Sequence, residues 1–545
     1  MAKYVFGIDL GTTYSCIAYV DETGRAIVVN NQEGTNTTPS VVEFTADTIV
    51  VGQVAKENAV IDPQNTVDFV KRLMGKSGAV AVTYNGKDKS PEEVSSYILR
   101  KLTGDAAKIL DTEVKDVVIT CPAYFGTAER TATKNAGVIA GLNVLEIISE
   151  PTAAALYYGC TKSQEEKTIL VYDLGGGTFD VTIMRISADK IEVICSDGDH
   201  ELGGKDWDET VMKYLADQFC SETGFQGDFD EYAQQDLRLK AERAKQQLSS
   251  REEVPVMLDV AGLRARISVS RATFDDLTAA LLNQTLDKTD AAMAVAKSKG
   301  FSVDEILLVG GSTRMPQVAK ALTEKYGIKP KILDPDEAVA KGAAIHAVDV
   351  YIHNQKSLSQ FADDQPDENT PKPSPVNPDD YKEKLAVDET MIAIGGKKRE
   401  VVVATTKSFA LKVLVNGKDE KCCNMIVKNQ LMTDGAIRIS KRFGTVDPNQ
   451  ETAEIIVYES DFMDEYFDVD DDFVLGTATL ELPENLPAGA PIEVTFTLNT
   501  EGILEVSGRD LTSNKEVHAT MQAKGIMTAE QVEELKEKSK QIVVM

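Results

Sequence analysis

Two short stretches hold the residue types of phosphate chemistry. Asp173-Leu174-Gly175-Gly176-Gly177-Thr178-Phe179-Asp180 sets three consecutive glycines and a threonine hydroxyl between two carboxylates. Glycines lack Cβ atoms, so backbone N–H groups can close on an anion there. Carboxylates would repel a bare phosphate, and acids beside such a cradle make sense around a hydrated Mg²⁺. Near the start, Asp9-Leu10-Gly11-Thr12-Thr13 repeats the grammar, with Asp9 and Asp173 lying 164 positions apart. An apolar run leads into each turn and an alternating run leads out, which predicts strand, tight turn and strand, twice. Alone, either stretch also reads as an ordinary glycine-rich hairpin. The repeat argues for two similar lobes, each offering one hairpin to a shared cleft. Neither turn is a P-loop, and neither is the glycine fingerprint of a strand-to-helix dinucleotide turn.

Further polar residues could join such a cleft. Lys71, in a helical turn over 67–75, could reach a phosphate or stand solvated at the surface. Glu150 follows the strand Val144–Ile148 and precedes Pro151 and a helix. Strand ends of open α/β sheets hold site residues, though a first-turn glutamate also suits a helix dipole. Over 231–249, Leu237, Ala241, Ala244 and Leu248 form an apolar stripe. Glu242, Lys245, Gln246 and Ser249 share a separate polar face, fit either for a nucleoside or for water. Gly310-Gly311-Ser312-Thr313-Arg314 follows the strand to Val309, where bare backbone admits a planar base and Arg314 could stack on it. Asp334-Pro335-Asp336 then opens a small-residue helix.

The elements that position these residues divide the 545-residue chain into several domains. Residues 1–350 alternate strand and helix patterns, an α/β signature. Residues 351–400 are acidic and proline-rich, densest over Asp363–Asp380, and are expected to be disordered or extended. Residues 401–523 read as a β-sandwich and 524–545 as one helix after a Thr528 cap. Val401–Val403 is either a connecting strand or the first strand of that sandwich. The acidic run Asp461–Phe473 could be a partner site through Phe462, Tyr466 and Phe467, or an acidic surface loop. A net charge of −29 argues against nucleic acid or an anionic membrane as partner. No run of 18 apolar residues exists, and the start lacks a signal-peptide core. Seven scattered cysteines without Cys-x-x-Cys fit idle thiols in a reducing cytoplasm.

Residues 1–350 resemble the ATPase domain of the heat-shock protein 70 chaperones, an actin-like, ribonuclease-H-like fold of two lobes. The resemblance rests on Gly7–Thr13, Val70–Gly75, Pro122–Phe125, Ser149–Ala155, Asp173–Asp180, Glu242–Lys245 and Gly310–Arg314, in that order. Ile492–Phe496 and Asn499–Ser507 are similar to the family's β-sandwich peptide-binding domain. The resemblance implies ATP or ADP, Mg²⁺ and K⁺ as cofactors and slow ATP hydrolysis. Asp9, Asp173 and Asp180 would hold the metals. Gly11, Thr12, Thr13, Gly175, Gly176 and Thr178 would cradle phosphates, while Lys71 and Glu150 would position the attacking water. Gly203, Gly204, Glu242, Lys245, Ser249, Gly310, Gly311, Ser312, Arg314 and Asp336 would hold the rest of the nucleotide. Pro122 and Arg130 would relay nucleotide state to the second domain.

Partners implied are extended apolar peptides of unfolded proteins, a J-domain co-chaperone and a nucleotide exchange factor. Three departures stand out. Gln246 replaces a usual arginine that sandwiches the adenine, a loss on the order of 1 kcal/mol. The acidic connection is longer than the family's, and the C-terminal helical lid is shorter. These departures leave open a nucleotide-binding holdase or exchange-factor-like relative with little coupled cycle. A small-molecule kinase of the same superfamily is a third reading, which the β-sandwich argues against.

Overall fold

The computed structural model describes residues 3–161, 166–363, 385–387 and 400–545, apart from 417, 434, 501 and 522–525. Two sheets of the same plan form the first two lobes. In the first, the hairpin Phe6–Asp9 and Tyr14–Val20 has its leading strand paired in parallel with Asp116–Cys121, which pairs in parallel with Asn143–Ser149. In the second, Lys167–Leu174 and Phe179–Ile186 form the hairpin, followed outward in parallel by Glu305–Val309 and Lys331–Ile332. The leading strands read as unbroken apolar runs because helices cover both faces of each sheet.

The helices Glu150–Thr161 and Ala338–Asp363 cross between the sheets and join them in one core. That core takes Val118 from the first sheet, Ile169 and Met184 from the second, and Ala153, Ala343 and Ala344 from the helices. Small residues are required at this crossing, since a Cβ on Gly342 would lie 1.7 Å from the Ala153 carbonyl oxygen.

The third unit is a β-sandwich of five and four strands. Its Asn416 adopts φ 54° at the turn between Ser408–Val415 and Asp419–Ile426, the left-handed backbone that asparagine tolerates in hairpin turns.

Three expectations change. The helix through residue 350 continues to Asp363, because Tyr351 packs fully buried in the joint core. Most of the acidic connection lies outside the described residues. Leu385 and Val387 pack on the joint core, with Leu385 bridged to Lys3. The strand Glu400–Val402 belongs to neither sheet of the sandwich; it pairs in parallel with Lys190–Asp199 and extends the second lobe. The acidic run is not merely a loop, for Tyr466–Asp468 adds an edge strand to Asp419–Ile426. Phe467 is buried there, with Phe462 stacked on it at 4.9 Å. The C-terminal helix Ala529–Ser539, capped by Thr528 and Gln531, packs against Thr127–Ile139 of the first lobe.

Candidate active site

The two hairpin tips meet. A Cβ on Gly176 would stand 2.1 Å from Thr13 Oγ1, and one on Gly177 would stand 2.3 Å from Thr12 Cγ2. Gly176 and Gly177 must therefore be bare for contact between lobes as well as for open N–H groups. Gly11, Thr12, Thr13, Gly175, Gly176 and Thr178 line one side of a cleft of about 360 Å³. Glu242, Lys245, Ser249, Gly310, Gly311, Ser312, Arg314 and Asp336 line the other end, and Asp9, Lys71, Glu150 and Asp173 the floor. The volume falls in the ordinary range for small-molecule sites.

Three expected residues stand behind the cleft wall. Gly203 and Gly204 open the helix Gly204–Thr223, and the amides of Gly204 and Lys205 donate to the carbonyls of Gly175 and Gly176 at 2.9 and 2.8 Å. They buttress the second hairpin from behind. Asp180 is buried and accepts the Tyr124 N–H at 3.0 Å.

Lys71 sits in the 3₁₀ turn Val70–Leu73, and its ammonium meets Glu150 at 2.5 Å. Both side chains are almost fully buried. Burial works against the Lys71 charge, but Glu150 and Asp9 outweigh it and hold the amine above its usual value. The next residue ties the turn to the opposite lobe: Arg72 donates to the Gly177 carbonyl at 2.9 Å and pairs with Asp206 at 2.6 Å.

The floor is overloaded with negative charge. Burial and the Glu150 carboxylate push Asp9 up to about 7. The same two causes push Asp180 up to about 8, and Asp173 rises well above the carboxylate range. Lys71 opposes this at all three aspartates, and Arg130 joins it at Asp180. Such a group of acids fits a divalent cation, whose charge would relieve the repulsion. Among the described residues, no three His, Cys, Asp or Glu side chains converge closely enough to chelate an ion outright. A cation here would keep water in its shell, as Mg²⁺ prefers.

At the far end Glu242 is held by Lys56 at 2.6 Å, Tyr14 at 3.3 Å and Gln246 at 3.2 Å. Lys245 is held by Asp208 and the Gly204 carbonyl, both at 2.8 Å. Arg314 pairs with Asp336 at 2.5 Å on the half-exposed rim. Asp208, Tyr14 and Lys56 escaped the sequence reading. Asp208 lies four residues after Gly204, on one helix face with it, so a signal existed. Lys56 is on the short helix Gln53–Asn58, far from any motif, and its reach to Glu242 could not be read from spacing.

A path leads from this floor to the β-sandwich. Tyr124, whose N–H holds Asp180, gives its hydroxyl to Asp461 of the sandwich. The ammonium groups of Lys407 and Lys428 stand 3.7 and 4.9 Å from the Tyr124 ring centroid. Close by, Arg130 donates to the Phe125 carbonyl at 3.1 Å, and the Thr127 N–H donates to Glu459 at 3.0 Å. On the second lobe, Asn429 Oδ1 accepts the Ser196 N–H at 3.0 Å.

Glu459 makes the first-lobe contact sensitive to pH. Burial, with the like charge of Glu129, pushes its carboxyl up to about 7, against the Thr127 N–H and Lys407, which favour ionisation. The docked form thus holds a proton that a solvated glutamate releases near pH 4.3, and docking weakens as pH rises from about 4 to 7. Small-angle scattering at pH 5.5 and 8 is expected to show a more extended particle at pH 8. The E459Q variant is expected to stay compact at both. An identical wild-type particle at the two pH values would refute this.

Two like lobes with facing phosphate hairpins over a carboxylate floor define an actin-like ATPase domain, here with a β-sandwich docked on it. The sequence profile of the Hsp70 protein family matches residues 5–358 and 371–544. The chain is 38% identical to the chaperone protein DnaK of Thermotoga petrophila and to that of Thermotoga maritima, over 99% of this chain and 83% of each relative. It is 36% identical to the chaperone protein DnaK of Thermosipho africanus over the same shares. The chain belongs to the Hsp70 family of chaperones, and with that family to the ATPases that use Mg²⁺. No described helix is long and apolar enough to cross a membrane.

Proposed function

We propose that this chain binds extended apolar peptides in its β-sandwich and that ATP binding and hydrolysis switch its hold on them. The observation that supports this most is Tyr124, one residue bonded both to the buried Asp180 carboxylate behind the cleft wall and to the sandwich. A change of charge around Asp180 thereby acts on a contact of the peptide domain. The connecting strand on the second lobe supports the same reading.

In this reading Gly11, Thr12, Thr13, Gly175, Gly176 and Thr178 grip the phosphates. Thr12, Thr13 and Thr178 do so through hydroxyls, the glycines through open backbone. Asp9, Asp173 and Asp180 would hold Mg²⁺, through waters, and K⁺, whose charge would offset that of the phosphates. Lys71 donates to the attacking water and Glu150 fixes the ammonium that does so. Glu242, Lys245, Ser249, Gly310, Gly311, Ser312, Arg314 and Asp336 orient the nucleoside, with Gly203 and Gly204 supporting the phosphate hairpin. Phosphoryl transfer needs such positioning and charge stabilisation more than covalent help. A J-domain co-chaperone and a nucleotide exchange factor are the proposed partners, and the cytoplasm the proposed compartment.

Affinity for a labelled apolar peptide, measured with ATP and with ADP, tests the reading. It is expected to be at least about tenfold weaker with ATP, a coupling in the usual range for linked sites. Equal affinity in both nucleotides would favour the uncoupled holdase instead.

A further inference from the structure

The last four residues meet the first lobe in a way that the nucleotide site does not require. Ile49–Val51 is the edge strand of a three-stranded sheet in that lobe. Its outward amides are both taken: Ile49 donates to the Val543 carbonyl at 3.0 Å, and Val51 to the Met545 carbonyl at 2.9 Å. Met545 donates back to Ile49 at 2.9 Å. Ile49 and Val544 pair in parallel. Side chains alternate as a strand demands. Ile542 and Val544 pack on the first lobe's core, while Val543 and Met545 are 57% and 60% exposed.

Arg100 clamps the turn before this strand. It donates to the Ser539 carbonyl at 2.6 Å and to the Ile542 carbonyl at 2.7 Å. An open sheet edge is a template for another strand, and a guanidinium aimed at carbonyls beside it fixes the register. The route of the chain gives this contact its consequence. The β-sandwich is entered from Glu400–Val402, which is paired to the second lobe. It is left through Ala529–Ser539 and residues 542–545, which lie on the first lobe. The sandwich is thus tied at its two ends to different lobes.

We propose that the edge of Ile49–Val51 is a strand-accepting site, and that residues 542–545 are its occupant: a latch that holds the exit end of the β-sandwich on the first lobe. The latch is independent of the nucleotide roles proposed above. Its test is hydrogen exchange at the Ile49 and Val51 amides in the full chain. V544D puts a charge against the core and is expected to speed exchange at both amides by roughly tenfold or more, the behaviour of an opened edge. V543D puts the same charge on the solvent face and is expected to leave both amides protected. A synthetic Lys-Ser-Lys-Gln-Ile-Val-Val-Met peptide, added to V544D at about millimolar concentration to replace the lost tether, is expected to restore protection. Wild-type protection in V544D, equal exposure in V543D, or no protection from the peptide would each overturn the proposal.

Discussion

Lys71→Ala is expected to reduce ATP turnover by roughly 100- to 1,000-fold, the usual effect of removing one preorganised donor from a reacting centre. The argument rests on the environment of the ammonium. It is almost wholly buried, bonded to Glu150 at 2.5 Å, and it shares the floor with Asp9, Glu150 and Asp173. Removing it leaves Glu150 buried without its partner, and breaking such a pair destabilises by about 3–5 kcal/mol. Two effects are therefore mixed in K71A, and a second variant separates them. Lys71→Arg keeps the charge but replaces a compact ammonium with a planar fork. If the residue positions water, K71R recovers much of the melting temperature and little of the turnover. Single-turnover hydrolysis with radiolabelled ATP, beside thermal melts of both variants, checks this. K71A hydrolysing at the wild-type rate would remove Lys71 from the reaction.

The parts of this site that the sequence reveals are those where chemistry forces residue type. Gly176 and Gly177 must be bare because Thr13 and Thr12 press on them from the other lobe, and so the hairpins stand out as repeated motifs. The two similar sheets follow from that repeat. Residues chosen for reach leave no such trace. Lys56 arrives at Glu242 from a six-residue helix, and Asp208 is one acid among many. Gly203 and Gly204 belong to the motif grammar, yet they act behind the loop through backbone bonds. The connecting strand was ambiguous because Val401–Val403 fits any sheet edge; its partner, Lys190–Asp199, lies about two hundred residues away. The edge strand Tyr466–Asp468 hid within a run of acids because one buried aromatic, Phe467, was enough to anchor it.

Gly342→Ala is expected to lower stability by about 3 kcal/mol, the upper part of the range for overpacking a tight interior. The added methyl would lie 1.7 Å from the Ala153 oxygen and 2.4 Å from its carbonyl carbon. These are backbone atoms of a packed helix, so no side chain can rotate away, and the two crossing helices must separate. Gly7 packs as closely on the helix Ala338–Asp363, where an added Cβ would lie 2.0 Å from Ala344 N, so its strand would be dragged along. The loss should lower the melting temperature by roughly 5–10 °C in a unit of this size. It should also reach the active site. Asp9 ends the strand that packs on one of these helices and Glu150 begins the other, so their separation moves both carboxylates relative to Lys71. Nucleotide affinity is therefore expected to fall with stability. Gly104→Ala is the control, since it lies within the helix Pro91–Leu110 with nothing inside 4 Å of its added Cβ. There alanine's helix preference should instead stabilise by about 0.5–1 kcal/mol. Thermal melts and calorimetric ADP titrations of the two variants check the opposite signs, and a G342A protein as stable as G104A would show that the helices can separate without penalty.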